Sequence, residues 1–418
     1  MSRFKNLVIK VIAHEFLTAS FWVFLSTASI NVGNYLYHLL MGRLLGPEEY
    51  GVLEGTISFL YILSVPFSTL NLVIVKFIST YKGKRDDRRI SSFYYYLRFK
   101  FLLYGSVFTL ILIVISPLII SLLHLSSWYL PVLLAISFFI SFFSILNKGV
   151  LQGLFKFPQI FIVSLVETIS KLGIAVLLVV IGFKAVGAFA SLLIAGTIGY
   201  FIALFYIRFK RFKGEAFIET KKIFKYSIPV FLTSLATTSL FTADIILVRY
   251  FFSGVDSGYY AALSVLGKVI FFAIWPITIV LFPMVSTRHS SGKNYKHLFF
   301  LSLGLSLVIA SSLTIIYYTF PNFMISILFG YKYIRIAPLL GMFAIFISFY
   351  SLSSLLSNFY LSLNKSLTGI ICSFFAVLQI ILIIMNHKDL LQIVEMSTIA
   401  TSLLFVSLVM YYPFKSKN

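Results

Sequence analysis

Charge is scarce in this sequence. Of its 418 residues only 11% are charged and just 13 are acidic, whereas a soluble globular domain carries roughly 25% charged residues. With 60% hydrophobic residues and a mean hydropathy of +0.99, the chain cannot cover a water-facing surface, so lipid must be the solvent for most of it. Cysteine occurs once, at Cys372, which excludes an intramolecular disulfide; its apolar surroundings point to a small packing residue. No glycine-rich loop ending in Lys-Ser/Thr is present, so ATP is not an evident energy source. The 6 histidines lack metal-ligand spacing, and neither a metal nor another cofactor is expected. Connections on one side of the spans are short, the longest about 17 residues near 320–336. They offer no platform for catalytic groups, which disfavours a membrane-embedded enzyme or polymerase of glycan assembly, and no catalytic residue is assigned. A cleavable signal is not expected either: the first apolar run is too long and has no small-residue cleavage site, so it serves as its own insertion signal.

What the chain has instead is long apolar runs. A spanning helix needs about 20 such residues, because each rises about 1.5 Å through about 30 Å of hydrocarbon. A barrel would show alternating segments of about 10 residues, whereas runs such as Phe101–Ser121 are unbroken. The expected fold class is therefore an all-α integral membrane protein with about 12 transmembrane helices. The spans read as 16–41, 52–78, 100–121, 130–153, 160–181, 187–207, 227–251, 259–284, 298–319, 337–361, 367–385 and 391–412. Pro66, Pro117, Pro229, Pro276 and Pro283 fall in or near spans and mark bends that membrane helices tolerate.

The net charge of +21 suggests nucleic acid until its placement is read. With the N-terminus inside, the segments 1–15, 79–100, 154–159, 207–226, 285–297, 362–366 and 413–418 hold 24 of the 34 Lys and Arg residues. The opposite segments hold six: Arg43, Lys184, Arg249, Lys332, Arg335 and Lys388. That is the positive-inside pattern. It places both termini in the cytoplasm, the chain in the cell membrane, and excludes nucleic acid as partner. The basic runs at 82–89 and 208–222 are expected to set topology and to touch anionic membrane lipids. The second run falls between spans six and seven, so the expected organisation is an N-terminal six-helix bundle over 1–206, a basic linker over 207–226 and a C-terminal six-helix bundle over 227–418.

The two halves look related. An offset of about 207 residues lays Ser253-Gly254-Val255-Asp256-Ser257-Gly258 on Gly46-Pro47-Glu48-Glu49-Tyr50-Gly51, so that Gly51 meets Gly258 and Glu49 meets Asp256. Such a parallel repeat gives two pseudo-symmetric six-helix bundles around a central cavity, an arrangement transporters use.

Met41-Gly42-Arg43-Leu44-Leu45-Gly46-Pro47-Glu48-Glu49-Tyr50-Gly51 resembles the first loop of the polysaccharide transporter family. That family includes O-antigen and teichoic-acid-type flippases and lies within the multidrug/oligosaccharidyl-lipid/polysaccharide exporter superfamily. Asp244 within Ala243–Val248, Gly258-Tyr259-Tyr260, Leu328-Phe329-Gly330-Tyr331 with Tyr333, and Asn358 followed by Asn364-Lys365 are similar to later features of the family. The resemblance implies a flippase that carries a polyprenyl-pyrophosphate-linked oligosaccharide across the cytoplasmic membrane by alternating access, for surface polysaccharide biosynthesis and beside glycan-assembly machinery. Its alternative is a cation-coupled small-molecule antiporter of the multidrug type. The family places its pathway on spans one, two, seven and eight. Some relatives carry two additional C-terminal spans, so a lipid-tail groove built from them is not expected here.

A flippase must move phosphate charge past hydrocarbon, where an unpaired charge costs many kcal/mol. The expected signature is a set of basic residues within spans, with few anions beside them. Lys268 lies near the middle of span eight, where ionisable groups are functional candidates. Arg249 and Arg43, at the outer ends of spans seven and one, are ligand contacts or interfacial anchors. Lys76 and Lys148 lie where snorkelling is easy, and the implied pathway favours Lys76. Asn31, Asn34 and Asn71 put amides into spans one and two, for sugar hydroxyls or for interhelical hydrogen bonds. The candidate contacts to pyrophosphate and sugar are thus Lys268, Arg249, Arg43, Lys76, Asn34 and Asn71. Asp244 is a proton- or sodium-coupling candidate or the partner of Arg249 or Lys268, and Glu54 is a second coupling candidate. Glu167 and Lys171, four apart on one helical face, read as a local pair.

Overall fold

The computed structural model describes residues 2–125, 127–207, 209, 220–290, 294–363, 365 and 367–411. Most of the basic linker, Asn364 and the basic stretch 413–418 lie outside the described residues. Among the described residues there are helices and no strands: α1 (Ser2–Gly83), α2 (Asp87–Val114), α3 (Ser116–Leu123), α4 (Tyr129–Gly153), α5 (Phe157–Leu178), a π turn (Val179–Phe183), α6 (Lys184–Phe205), α7 (Thr220–Phe251), α8 (Gly254–Ser290), α9 (Lys296–Thr319), α10 (Pro321–Leu328), a 3-10 turn (Tyr331–Ile336), α11 (Ala337–Ser362), α12 (Leu367–Met385) and α13 (Leu390–Met410).

Among the described residues ten apolar helical stretches are long enough to cross a membrane. Two of them, Phe21–Gly83 with 63 residues and Phe157–Phe205 with 49, are each more than twice the length that about 30 Å of hydrocarbon demands at about 1.5 Å per residue. Each is interrupted at a glycine with positive φ, Gly46 (φ 75°, ψ 174°) in α1 and Gly182 (φ 104°) in the π turn. The backbone there is one that L side chains seldom adopt. Both stretches therefore supply two passes, and the chain has the twelve spans expected of it.

The helices outrun those spans. The third pass begins at Asp87, where Asp86 caps the helix by accepting from the Arg89 amide at 3.0 Å. It also stops early, at Val114. Ser116-Pro117 opens the separate short α3, because proline lacks the amide needed to continue a ladder and clashes with the preceding turn. The expected outer loop at 320–336 is likewise structured, as α10 and the 3-10 turn.

By compactness the chain forms two units. The first comprises Met1–Met41, Pro66–Ile120 and Ser126–Phe224. In it α6 lies along α4 and α5, and α2 lies along α4. Small residues permit close approach, as expected between membrane helices. A Cβ on Gly153 of α4 would sit 2.7 Å from Ile78 of α1. Phe67, Phe138 and Phe142 fill the space between helices, with ring centroids 4.7–5.3 Å apart.

The second unit comprises Gly42–Val65, Ser121–Leu125 and Lys225–Asn418. Its axis is α11, which contacts α8, α9 and α13 and buries Ser351, Ser353, Ser354 and Ser357 along with Phe343, Phe346 and Phe359. Ser351 hands its hydroxyl proton back to the Ile347 carbonyl at 2.7 Å, so the small side chain lowers its polarity while letting helices close up. The turn after Gly46 nests against the start of α8. A Cβ on Gly258 would lie 1.6 Å from the Pro47 carbonyl oxygen, and one on Gly51 would lie 2.6 Å from the Gly258 amide nitrogen.

These backbone contacts leave no room for a methyl group. Gly258→Ala is expected to lower stability by about 1–3 kcal/mol through overpacking. Gly304→Ala in α9, with nothing within 4 Å of the added carbon, should gain about 0.5–1 kcal/mol from the lost flexibility of glycine. Thermal unfolding of the detergent-solubilised chain checks this, and equal midpoints for the two variants would show that the turns do not touch.

Candidate functional site

Asp244 sits on the buried stripe of α7 formed with Leu240, Ala243 and Val248. On α8, Tyr260, Ser264 and Lys268 follow at intervals of four, so their side chains share one helical face. That face meets Asp244. Tyr260 donates its hydroxyl hydrogen to Asp244 Oδ2 at 2.8 Å. Asp244 is 0% exposed and Lys268 only 5%. The Lys268 ammonium lies 4.2 Å over the Phe241 ring, a favourable place for a desolvated cation, and it is electrostatically coupled to both Asp244 and Glu54. Glu54, in the second pass of α1, is also buried and is coupled to Tyr61. Asp244 Oδ1 and Ser264 Oγ have no hydrogen-bond partner among the described residues.

Fully ionised, these three groups hold two negative charges and one positive. A buried excess charge is costly unless something balances it. A proton on one carboxylate or one monovalent cation supplies the missing charge, and the orphaned Asp244 oxygen is a place to receive it. The groups taken from the sequence as a passenger contact (Lys268) and as coupling residues (Asp244 and Glu54) are thus brought together. The expectation that anions would be few beside the lysine does not hold.

Arg249 goes elsewhere. Five residues beyond Asp244 and 4% exposed, it donates from Nε to the Leu123 carbonyl (2.7 Å), from Nη2 to the His124 carbonyl (2.8 Å) and from Nη1 to Ser257 Oγ (3.0 Å). His124 Nδ1 lies 3.2 Å from the Arg249 carbonyl, and the guanidinium is coupled to Glu48 and Glu49 rather than to Asp244. It ties the end of α3 to the beginning of α8. Arg43 is exposed and donates from Nε to the Leu328 carbonyl at 3.0 Å and from Nη2 to that of Ile327. It thereby caps the C-terminus of α10, the end that a cation stabilises. Tyr333 adds a hydrogen bond to the Gly42 carbonyl at 2.8 Å.

The first unit carries its own buried polar group. Lys171, 9% exposed, donates to Asn34 Oδ1 and lies 5.0 Å over the Tyr37 ring. Glu167 pairs across helices with Lys148 at 2.6 Å. The local Glu167–Lys171 pair expected from spacing is therefore only an electrostatic neighbour relation, because Lys148 on α4 reaches the carboxylate directly. Asn71 reaches Gln152 Oε1 at a long 3.4 Å, Asn31 is exposed, and Lys76 is exposed. Sequence reasoning missed Tyr260 and Ser264 as members of the site. Their four-residue spacing ahead of Lys268 was the available signal. Among the described residues no cluster of three or more His, Cys, Asp or Glu side chains could hold a metal ion.

A family model described as polysaccharide biosynthesis protein matches residues 40–338. The chain belongs to that family. Its likeness to an uncharacterized membrane protein of Methanocaldococcus jannaschii is 28% identity over 273 residues, 60% of this chain, and the chain spans 63% of the length of that curated relative. The structure is similar to an inward-facing multidrug resistance MATE family transporter of the MOP superfamily, with a TM-score of 0.74 at 16% identity, covering 90% of this chain and 93% of the other. It is also similar to the lipid II flippase MurJ in an inward closed conformation, with a TM-score of 0.73 at 17% identity, covering 94% and 87%. The polysaccharide biosynthesis family member described here is thus a multi-pass membrane protein with the fold of the MOP superfamily.

Removing Lys268 alone should strand two buried carboxylates. Lys268→Met is expected to destabilise by about 3–5 kcal/mol, as when one partner of a buried pair is deleted, and Asp244→Asn added to it should restore part of the loss. A double-mutant cycle in thermal stability reads this coupling. Strictly additive losses would mean that the two side chains do not interact.

Proposed function

We propose that this protein is a secondary transporter that moves an amphipathic solute across the membrane by alternating access, driven by a proton or a sodium ion taken up at Asp244 and Glu54. The observation that carries the reading is the charge balance of the buried centre on α7, α8 and α1. It lacks one positive charge, and Lys268 is held beside it as an internal competitor. When the external cation binds, the lysine is released from part of its electrostatic burden. When the cation leaves, the ammonium returns to the carboxylates. Exchange of this kind couples ion movement to rearrangement, with the halves 1–206 and 227–418 as the moving bodies and 207–226 as their connection.

Two passengers fit a transporter of this fold. A small amphipathic solute, as in a cation-coupled antiporter, is favoured by the acidic excess at the site and by the likeness to a multidrug transporter. A polyprenyl-pyrophosphate-linked oligosaccharide is supported by family membership and by the likeness to a lipid II flippase. It receives less support from the basic residues themselves, since Arg249, Arg43 and Lys171 already donate to protein oxygens. The first reading is the one the geometry supports best.

In proteoliposomes with an imposed proton or sodium gradient, the wild-type chain should accumulate a fluorescent cationic dye against its own gradient. Asp244→Asn should abolish accumulation yet still allow dye-for-dye exchange, because the removed charge serves coupling and not passage. Accumulation by Asp244→Asn at the wild-type level would overturn the coupling role. Movement of a fluorescent lipid-linked oligosaccharide with no movement of dye would transfer the passenger assignment to the lipid-linked glycan.

A further inference from the structure

A groove of about 510 Å³ opens on the surface of the first unit between α2, α4 and α6, within the roughly 300–1,000 Å³ typical of small-molecule sites. From α2 come Tyr95, Arg98, Phe99 and Leu102, the spacing of a single helical face. Phe139 and Phe143 of α4 line the opposite wall. Phe99 is 64% exposed and Leu102 is exposed as well, so the apolar wall is open to the hydrocarbon around the spans.

Arg98 is the charge in this oily surround. It interacts electrostatically with the neighbouring Tyr94, whose hydroxyl donates to Asn147 Oδ1 at 3.2 Å behind the groove. Arg98 itself makes no ion pair among the described residues. Its position is eleven residues along a helix that starts at Asp87, beside the basic run 82–89. Tyr95 closes the same end by donating to the Phe209 carbonyl at 3.3 Å, and the sequence neighbours of Phe209 are Arg208 and Lys210. Toward the middle of the span the lining turns apolar at Leu102 and Phe139. One end thus offers an unneutralised planar cation near the basic face, and the other offers aromatic and aliphatic walls that run along the helices.

We propose that this groove is a site for one anionic phospholipid of the leaflet on the basic side, its phosphate on Arg98 and an acyl chain along Phe99, Leu102 and Phe139. Charge complementarity selects the occupant. A guanidinium binds a phosphate group with charge-assisted hydrogen bonds, and only a phosphate that carries hydrocarbon fills the apolar length. The site is separate from the Asp244 centre, so its occupancy does not depend on the transport reading.

Native mass spectrometry of the full-length chain in detergent tests this, with palmitoyl-oleoyl phosphatidylglycerol and the phosphatidylcholine of the same chains as probes. The wild type should retain one phosphatidylglycerol and much less phosphatidylcholine. Arg98→Gln should lower phosphatidylglycerol retention about ten-fold, in keeping with the loss of a hydrogen bond to a charged group. Leu102→Trp, an exposed position with Arg98 intact, should exclude the lipid by filling the groove, and it keeps the test decisive if Arg98→Gln folds poorly. Lys100→Gln, whose ammonium lies over the Tyr96 and Tyr104 rings on the same helix, should bind as the wild type does. Equal retention of the two lipids, unchanged binding by Arg98→Gln and Leu102→Trp, or displacement of the lipid by millimolar inorganic phosphate would each overturn the proposal.

Discussion

A charged group in hydrocarbon must be balanced where it stands, and in this protein the requirement falls most heavily on Lys268. The penalty for drying each ion is several kcal/mol. The ammonium balances at most one of the two carboxylates that act on it, and the second is left to find its own neutraliser. The arrangement is therefore stable only with a further positive charge or with one acid kept neutral. The hydrogen bond from Tyr260 to Asp244 binds α7 to α8 at this point, so the electrostatic state of the centre and the fit of the two helices are one matter.

The other cations show how a membrane protein spends its few charges. Arg249 and Arg43 terminate helices by donating to backbone carbonyls, and Lys171 satisfies an amide of the first pass. Arg249 and Arg43 were plausible phosphate ligands when only depth and residue type were known, whereas Lys171 was read as the local partner of Glu167. The geometry assigns them to holding elements together, which is why the electrostatic case for a pyrophosphate passenger is weaker than sequence position suggests.

Much of the architecture was legible in the residues. Apolar run length gave the number of passes, and the Gly-Pro-Glu-Glu-Tyr-Gly turn marked the first reversal. The break between α2 and α3 was readable from Pro117, yet it was absorbed into a single span because hydropathy continues through it. The site was legible in part. Lys268, Asp244 and Glu54 stood out as charges within spans, and the structure brings them together. Partner choice was not legible. The acceptors of Arg249 are carbonyls of Leu123 and His124, which any residue would provide, more than a hundred positions away. The preference of Glu167 for Lys148 over Lys171 depends on the rotation of α4 against α5, which no spacing rule encodes. The Asn34–Lys171 bond escaped for the same reason.

The contact between Gly51 and Gly258 has an implication for how this chain tolerates change. A carbon added at Gly51 meets the Gly258 amide, and one added at Gly258 meets the Pro47 carbonyl of the facing turn. Free volume there is held in common. A methyl group that one of the two turns accommodated would use up the space of the other, so the two places can change only together.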